Sequence, residues 1–422
     1  YELGRGVDEN KEHAVELYRQ SAEQGYAYAQ CNLGFCYLHG IGVEADDGQA
    51  VMWLERAAAQ NSARALDLLG DCAADGTGMD QDDEKAAAYY RRAAEMNYLP
   101  ALVSLGLRYE NGRGVDADPA QALALYERAG ERGEPAGACN AGYCYLHGIG
   151  TRPDPERAVA WLKRAAEQDH PRALYLLGVC YFDGTGVEQS VEEAVAYYRR
   201  GAEGNYAPAL AGLGYCYEMG RGVPEDKEKA VEYYRQGAER GYAYAQCNLG
   251  RCLFHGIGTE QNLAKGVEWL YKAADQGDNE ARYLLGRYRV LGERITKDTR
   301  EGESLLRAAA EGGHTAAQYY LGTLYMNGDR LRRDERMAAA LFAQAAEKDH
   351  GPSLFLLGEC YAQGRGVPKD VEKAARLYQK AANLGEWDAA HALQKLKEER
   401  AQGPSPRKAG GLRGLFQKLK GQ

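Results

Sequence analysis

Cysteine and histidine side chains that could share a metal ion recur along the sequence. Cys36 lies three positions before His39, which places the two side chains on one face of a helix. The pair recurs twice at intervals of 108 residues, as Cys144 with His147 and as Cys252 with His255. A zinc site needs three or four protein ligands, and no acidic residue or histidine recurs at a position that completes the set. We therefore predict no metal and no other cofactor.

Patterns that would indicate an enzyme are equally incomplete. The Gly-x-Gly segments, such as Gly40-Ile41-Gly42, lack the preceding strand that a dinucleotide-binding fingerprint requires. No set of serine, histidine and aspartate recurs or clusters along the chain. The sequence predicts a protein that is not an enzyme, with no catalytic residues.

A segment of 36 residues is repeated along nearly the whole chain. Gly34, in the Leu33-Gly34 pair, is followed at this interval by glycines at positions 70, 106, 142, 178, 214, 250, 286, 322 and 358. Such regular self-similarity predicts a solenoid, in which each repeat buries its apolar face against its neighbours. We expect ten complete repeats over residues 26–385. Residues 1–25 form half a repeat, which we interpret as the truncated N-terminal edge of a longer protein.

Two further series of residues mark two helices in each repeat. One series has side chains that cap helix N-termini: Asn10, Asp46, Asp82, Asp118, Asp154, Ser190, Asp226, Asn262, Asp298, Asp334 and Asp370. The other has residues that tolerate the left-handed conformation at a helix end: Gly25, Asn61, Asn97, Gly133, Asp169, Asn205, Gly241, Gly277, Gly313, Asp349 and Gly385. A glycine costs about 1 kcal/mol relative to alanine inside a helix, so the repeated Gly34 position predicts close contact between helices. Altered turns are expected at Arg294 and Arg330, which replace the second glycine of the Gly-x-Gly turn.

Two motifs carry a resemblance to a known family. The first is Ala-x-x-x-Leu-Gly-x-x-Tyr-x-x-Gly-x-Gly-Val, which starts at Ala29, and the second is Lys/Gln-Ala-x-x-Trp/Tyr-x-x-x-Ala-Ala-x-x-Gly. The pattern resembles the Sel-one-like repeat family, a branch of the tetratricopeptide-like α-solenoids, over about nine tenths of the chain. The resemblance implies an all-α protein, a right-handed α-α superhelical solenoid of 36-residue helix-turn-helix repeats. It implies an interaction scaffold and no enzymatic activity.

The C-terminal part departs from the repeat. Residues 386–402 keep apolar residues at helical spacing and gain polar ones, which predicts a capping helix. Residues 403–422 contain a Pro-rich linker and a tail with five basic residues and no acidic one. A basic amphipathic tail can bind an anionic membrane, whereas the alternative is a soluble tail without structure. The tail is the one segment for which we predict membrane contact.

Charge and cysteine content restrict the partners. The net charge of −9 disfavours nucleic acid, since phosphate binding needs a basic surface. The ten cysteines lack the spacing of eight positions at which some members of the resembled family form disulfides. We predict free, buried thiols, which favour a reducing compartment such as the cytoplasm. The localisation stays unknown, with a periplasmic or secreted location left open.

We predict that a protein or peptide binds in the concave groove of the solenoid. If Ala29, Leu33 and Tyr37 are buried, helical geometry turns Asn32 and Phe35 to the opposite side, and the resemblance implies that this side lines the groove. The candidate partner-binding residues are Asn32, Phe35, His39, Asn140, Tyr143, His147, Tyr175, Tyr215, Asn248, Arg251, His255 and Tyr319. A competing interpretation is that these side chains pack against adjacent repeats. The predicted function is a non-enzymatic scaffold or adaptor. The alternative is an envelope- or membrane-associated assembly factor tethered through the tail.

Overall fold

The computed structural model describes residues 9–401, except for the side chains of residues 399–401, and α-helices joined by turns are the only regular secondary structure in this part of the chain. The odd-numbered helices are α1 (Lys11–Glu23), α3 (Asp47–Ala59), α5 (Asp83–Glu95), α7 (Pro119–Glu131), α9 (Pro155–Ala166), α11 (Val191–Glu203), α13 (Lys227–Glu239), α15 (Leu263–Asp275), α17 (Thr299–Glu311), α19 (Glu335–Glu347) and α21 (Val371–Asn383). The even-numbered helices are α2 (Ala27–His39), α4 (Ala63–Asp75), α6 (Leu99–Asn111), α8 (Pro135–His147), α10 (Pro171–Asp183), α12 (Ala207–Met219), α14 (Ala243–His255), α16 (Asn279–Leu291), α18 (Thr315–Asn327), α20 (Gly351–Gln363) and α22 (Trp387–Ala401). The predicted all-α solenoid is confirmed.

Side-chain caps begin the odd-numbered helices. The carboxylate of Asp46 accepts a hydrogen bond from the backbone N–H of Gln49 at 2.9 Å, which satisfies a donor that the first turn of α3 leaves free. Asp226 accepts in the same way from Lys229 at 3.0 Å. All eleven predicted capping residues make this contact. Local sequence therefore fixes where each odd-numbered helix starts.

Left-handed residues end the helices. Every residue of the predicted Gly/Asn/Asp series has positive φ, from 52° at Asp169 to 94° at Gly385. The even-numbered helices from α2 to α20 end at glycines in the same conformation, such as Gly40 with φ 62°. The expected altered turn is wrong for the eighth repeat, where Arg294 itself adopts φ 63° in place of glycine. Arg330, in the ninth repeat, does not adopt positive φ.

The described helices form two compact units that divide between Tyr233 and Tyr234, within α13. In the first unit, α2, α4, α6, α8 and α10 each pack against the odd-numbered helix that follows, and α2, α4, α6 and α8 also contact one another in succession. A core of small, aliphatic and aromatic side chains runs from Cys31 to Cys180. In the second unit the same pairing joins α14 to α15, α16 to α17, α18 to α19 and α20 to α21.

The last described helix, α22, packs on α21 through Ala389 and Leu393, which are both buried. Its position corresponds to the predicted capping helix, and the capping role stays a prediction. Residues 402–422, with the linker and the basic tail, lie outside the described residues. Among the described helices, none combines the length and apolar character needed to span a membrane.

Candidate functional site

The predicted partner-binding residues all lie on even-numbered helices. Helices α2, α8 and α14 carry three each, and α10, α12 and α18 carry one each. In each unit separately, we call the surface that these side chains occupy the even-helix face of that unit. In the first unit, the structure brings the predicted residues of α2 and α8 together with an arginine of the following even-numbered helix, and these contacts define the candidate site.

The first polar-aromatic cluster joins α2 to α4. Nη1 of Arg64 donates a hydrogen bond to Oδ1 of Asn32 over 2.7 Å. The guanidinium carbon of the same arginine lies 4.9 Å from the ring centroid of Phe35, within the range of a cation–π contact. The imidazole of His39 meets Phe35 edge-on, with centroids 4.3 Å apart. One arginine therefore positions both an amide and an aromatic ring of the preceding repeat.

The second polar-aromatic cluster repeats this arrangement between α8 and α10. Arg172 donates to Asn140 over 3.1 Å and lies 4.4 Å from the ring centroid of Tyr143. His147 contacts Tyr143 with centroids 4.3 Å apart, as in the first cluster. The histidines of both clusters are exposed, and the aromatic rings and arginines are half-buried. The two clusters thus present the same combination of groups at a three-repeat interval.

The third copy, on α14, has a different partner set. Glu280 occupies the position of Arg64 and Arg172 and bonds His314 over 2.8 Å. Arg251 instead donates to Asn248 on its own helix over 3.1 Å. His255 bonds the hydroxyl of Tyr288 over 2.7 Å. The three-repeat similarity in sequence therefore yields two matching clusters and one variant.

The structure shows that one of the three predicted asparagines is buried and already hydrogen-bonded. Asn32 is 6% exposed, and its side-chain oxygen already accepts from Arg64. The binding role of Asn32, Asn140 and Asn248 stays a prediction, and the arginines Arg64 and Arg172 join the candidate site. Sequence reasoning missed these arginines, although both follow their asparagine by 32 residues.

The remaining predicted tyrosines are half-buried among other rings. Tyr175 lies 6.0 Å from Tyr206 between ring centroids. Tyr215 lies 6.0 Å from Phe182. Tyr319 lies 5.2 Å from His350. Such packing between repeats accounts for these side chains without a partner, so their binding role stays a prediction and the packing interpretation stays open.

An acidic side chain is buried near the first cluster. Asp67, on α4, is 9% exposed, and its Oδ1 has no hydrogen-bond partner among the described residues. Burial, and next the charge of Asp71, raise the pKa of Asp67 to about 7, although a hydrogen bond with Ser104 opposes this shift. Asp67 stands one repeat after Cys31, where an apolar residue would be expected. That comparison is the sequence signal that would have identified it.

All ten cysteines are buried, and within the described residues none of them forms a disulfide bond. Burial raises the pKa of Cys139 to about 12. Burial, and next the charge of Glu110, raise that of Cys144 to about 12. Thiols with such pKa values are poor nucleophiles and poor metal ligands at neutral pH. In the part of the chain that the structure describes, no group of three or more His, Cys, Asp or Glu side chains could hold a metal ion.

Comparison with protein families gives a match along almost the whole chain. The Sel1 repeat model matches eleven consecutive segments, residues 1–26, 27–62, 63–98, 99–134, 135–170, 171–206, 207–242, 243–278, 279–314, 315–350 and 351–386. A Schizosaccharomyces pombe (strain 972 / ATCC 24843) protein, chitin synthase regulatory factor 3, is 58% identical over 36 residues, which are 8% of this chain and 4% of that protein. The match therefore spans a small part of its length.

Two solved structures resemble the fold. A protective antigen of uropathogenic Escherichia coli strains, which displays an SLR fold, is 33% identical with a TM-score of 0.61, covering 90% of this chain and 82% of its own. A Sel1 repeat protein from Oxalobacter formigenes is 31% identical with a TM-score of 0.54, covering 73% of this chain and 90% of its own. Both similarities extend over most of the array and support the same repeat architecture.

Proposed function

Because the chain belongs to the Sel1 repeat family, we propose that it is a protein-interaction scaffold whose even-helix face holds an extended segment of a partner protein. The general role of an interaction scaffold fits a repeat solenoid, since stacked repeats offer a long surface built from equivalent positions. More specifically, we propose that the partner segment binds at the first and second polar-aromatic clusters of the first unit.

The observation that carries the proposal is the match between these two clusters. Arg64 stands to Phe35 as Arg172 stands to Tyr143, and an exposed histidine lies against each ring. Core packing alone does not require a cation, an aromatic ring and an imidazole to recur together at the surface. Two equivalent sites along one array suit a partner segment that engages both, which increases the apparent affinity.

The chemistry of the clusters suits a peptide. A half-buried ring held by an arginine offers a rigid apolar contact at low entropic cost, as aromatic and arginine side chains do at binding hot spots. The donors of Arg64 and Arg172 that do not bond to asparagine can bond to backbone carbonyl groups. His39 and His147 add a polar group at the edge of each ring. These features support an extended segment that carries apolar side chains.

Selection from a displayed peptide library tests the proposal. The intact array is the bait, and the affinity of each enriched peptide is measured by fluorescence anisotropy. The variant Phe35→Thr/Tyr143→Thr removes both rings and uses the residue that Thr323 supplies at the equivalent position of another repeat. We expect its affinity for the enriched peptides to be lower by about tenfold or more.

The matched control removes two half-buried apolar side chains from odd-numbered helices. Tyr89→Thr/Leu125→Thr alters α5 and α7 to the same extent, and we expect it to bind the enriched peptides as the intact array does. Circular dichroism verifies that both variants retain the helical fold. If no peptide is enriched, or if the enriched peptides bind both variants equally, the proposal is wrong.

A further inference from the structure

Three arginines lie on, or directly after, two even-numbered helices of the second unit. Arg287 lies on α16, and Arg294 and Arg330 lie in the turns that follow α16 and α18. We call them the arginine group. Within the described residues, Arg287 and Arg294 form no ion pair, and Arg330 approaches only its neighbour Asp329, at 3.9 Å. Glu293, which acts electrostatically on Arg287, and Asp329 therefore offset only part of the positive charge of the group.

Aromatic side chains support the group. The guanidinium carbon of Arg287 lies 5.8 Å from the ring centroid of Tyr283 and 5.6 Å from that of Tyr288. Tyr320, on α18, meets Tyr283 edge-on with centroids 6.1 Å apart. His255 fixes the hydroxyl of Tyr288. Tyr283 and Tyr320 are half-buried, so apolar surface is available beside the cations.

The turn positions of two members are unusual. At the equivalent position of the first repeat, a Cβ on Gly42 would overlap the carbonyl oxygen of Lys11, so glycine suits the turn sterically as well as conformationally. Arg294 nevertheless occupies this position with φ 63°. A large residue in a left-handed conformation is strained, and such strain is found more often at functional sites than elsewhere. The strained residue in this turn is thus an exposed cation.

Positive charge predominates around His255, beside the group. Burial, and next the positive charges of Arg294, Arg251 and Arg287, lower the pKa of His255, while Glu293 opposes them. In the first unit, α4 has Asp67, Asp71 and Asp75. The chain as a whole has a net charge of −9. A local excess of positive charge attracts an acidic part of a partner, whereas the net negative charge of the whole protein disfavours the binding of a long polyanion.

We propose that the arginine group binds an acidic segment of a partner protein. Its carboxylates bond Arg287, Arg294 and Arg330, and its apolar side chains lie on Tyr283 and Tyr320. Guanidinium groups form the strongest side-chain hydrogen bonds with carboxylates, and charge complementarity supplies the selectivity. This inference rests on the proposed function, because it states the charge of a segment that the even-helix face would hold.

The test uses the full chain and a fluorescein-labelled peptide of alternating glutamate and tyrosine. A peptide with glutamine in place of glutamate measures the contribution of charge. The variant Arg287→Gln/Arg294→Gly/Arg330→Gly removes the group and restores the glycine of other turns. We expect it to lower the affinity for the acidic peptide by about tenfold or more. We expect the glutamine peptide to bind weakly to both proteins, and added salt to weaken only the acidic peptide.

The matched control changes net charge equally at another place. Arg92→Gln/Arg132→Gln/Arg199→Gln removes three exposed arginines from α5, α11 and the end of α7, and we expect it to bind the acidic peptide as the intact chain does. Equal binding by the two triple variants, or no binding by the intact chain, overturns the proposal. Tighter binding of a polyuridine RNA through the same arginines also overturns it.

The variant Phe35→Thr/Tyr143→Thr separates this inference from the proposed function. If Phe35→Thr/Tyr143→Thr still binds the acidic peptide and the arginine variant does not, the arginine group is a binding site, whether or not the clusters of the first unit bind peptides. If the library peptides bind less tightly without the clusters but the acidic peptide binds equally well without the arginines, the proposed function is supported and the inference is wrong.

Discussion

The ring of Tyr126, on α7, lies directly against Gly106 of α6. A Cβ built on the glycine would be 2.5 Å from Cε1 of the ring, and the tyrosine hydroxyl donates to Glu110 over 2.7 Å. Tyr126 is completely buried. The repeated glycine thus has a specific role, since it admits an aromatic ring between two helices of one repeat. In other repeats a leucine fills the same space, as Leu54 does against Gly34.

Gly106→Ala tests this contact. The added methyl group must displace the Tyr126 ring or separate α6 from α7, so we expect the free energy of urea-induced unfolding to fall by about 1–3 kcal/mol. Gly48→Ala is the control, because Gly48 is an exposed helical residue whose Cβ would meet no atom closer than 3.5 Å. The higher helix propensity of the introduced alanine should raise the free energy of unfolding by up to about 1 kcal/mol. Equal effects of the two substitutions would contradict the packing role.

Asp67→Val tests the buried acid on α4. Val103 occupies the equivalent position one repeat later, so the substitution fits the fold. Removing a buried carboxyl group that has an unpaired oxygen should stabilise the array by roughly 1–3 kcal/mol at pH 8. Urea unfolding of the variant and the intact chain measures the difference. Asp67→Asn, which keeps the shape without the charge, should recover part of this gain.

The same residue predicts a pH dependence. The pKa of Asp67 is about 7 in the folded chain, above its ordinary value of 3.8. The folded state therefore retains this proton longer than the unfolded state, and its contribution to stability is complete below pH 4 and lost as the pH rises to about 7. The difference in unfolding free energy between Asp67→Val and the intact chain should grow across this interval. A constant difference would show that Asp67 ionises normally.

The helix boundaries were predictable because they depend on local chemistry. Asp46 caps α3 with its own side chain, and Asn61 adopts the left-handed conformation that its short amide tolerates. Both effects act within a few residues, so repetition in sequence is enough to reveal them. Arg294 shows the limit, since an arginine at φ 63° is held there by the surrounding turn and not by its own preference.

The candidate site was only partly predictable because its contacts cross between repeats. The face of α2 that carries Asn32 and Phe35 follows from helical periodicity. Which side chain of α4 reaches them depends on how the two helices are offset, and the sequence alone does not supply that offset. Arg64 was therefore missed, although its interval from Asn32 recurs between Asn140 and Arg172.

The buried cysteines predict slow thiol chemistry. With pKa values of about 12 for Cys139 and Cys144, the thiolate fraction at pH 8 is about one in ten thousand. We expect Ellman's reagent to modify the ten cysteines of the sequence within minutes in urea and to react far more slowly with the folded chain. Rapid modification of several thiols without denaturant would show that repeats open locally, or that the cysteines are more accessible than their burial indicates.

Arg294→Gly tests whether the chain gives up stability where it places this cation. Arginine in a left-handed conformation costs about 1–2 kcal/mol relative to a favoured conformation, and glycine avoids most of this cost. We expect the substitution to raise the unfolding free energy by about 1 kcal/mol in urea. Arg330→Gly is the matched control, because Arg330 does not have positive φ and its replacement by a more flexible residue should give no gain. If Arg294→Gly proves no more stable than Arg330→Gly, the eighth turn holds the arginine without strain. That result would remove the backbone argument for a site there, while the charge argument would still depend on peptide binding.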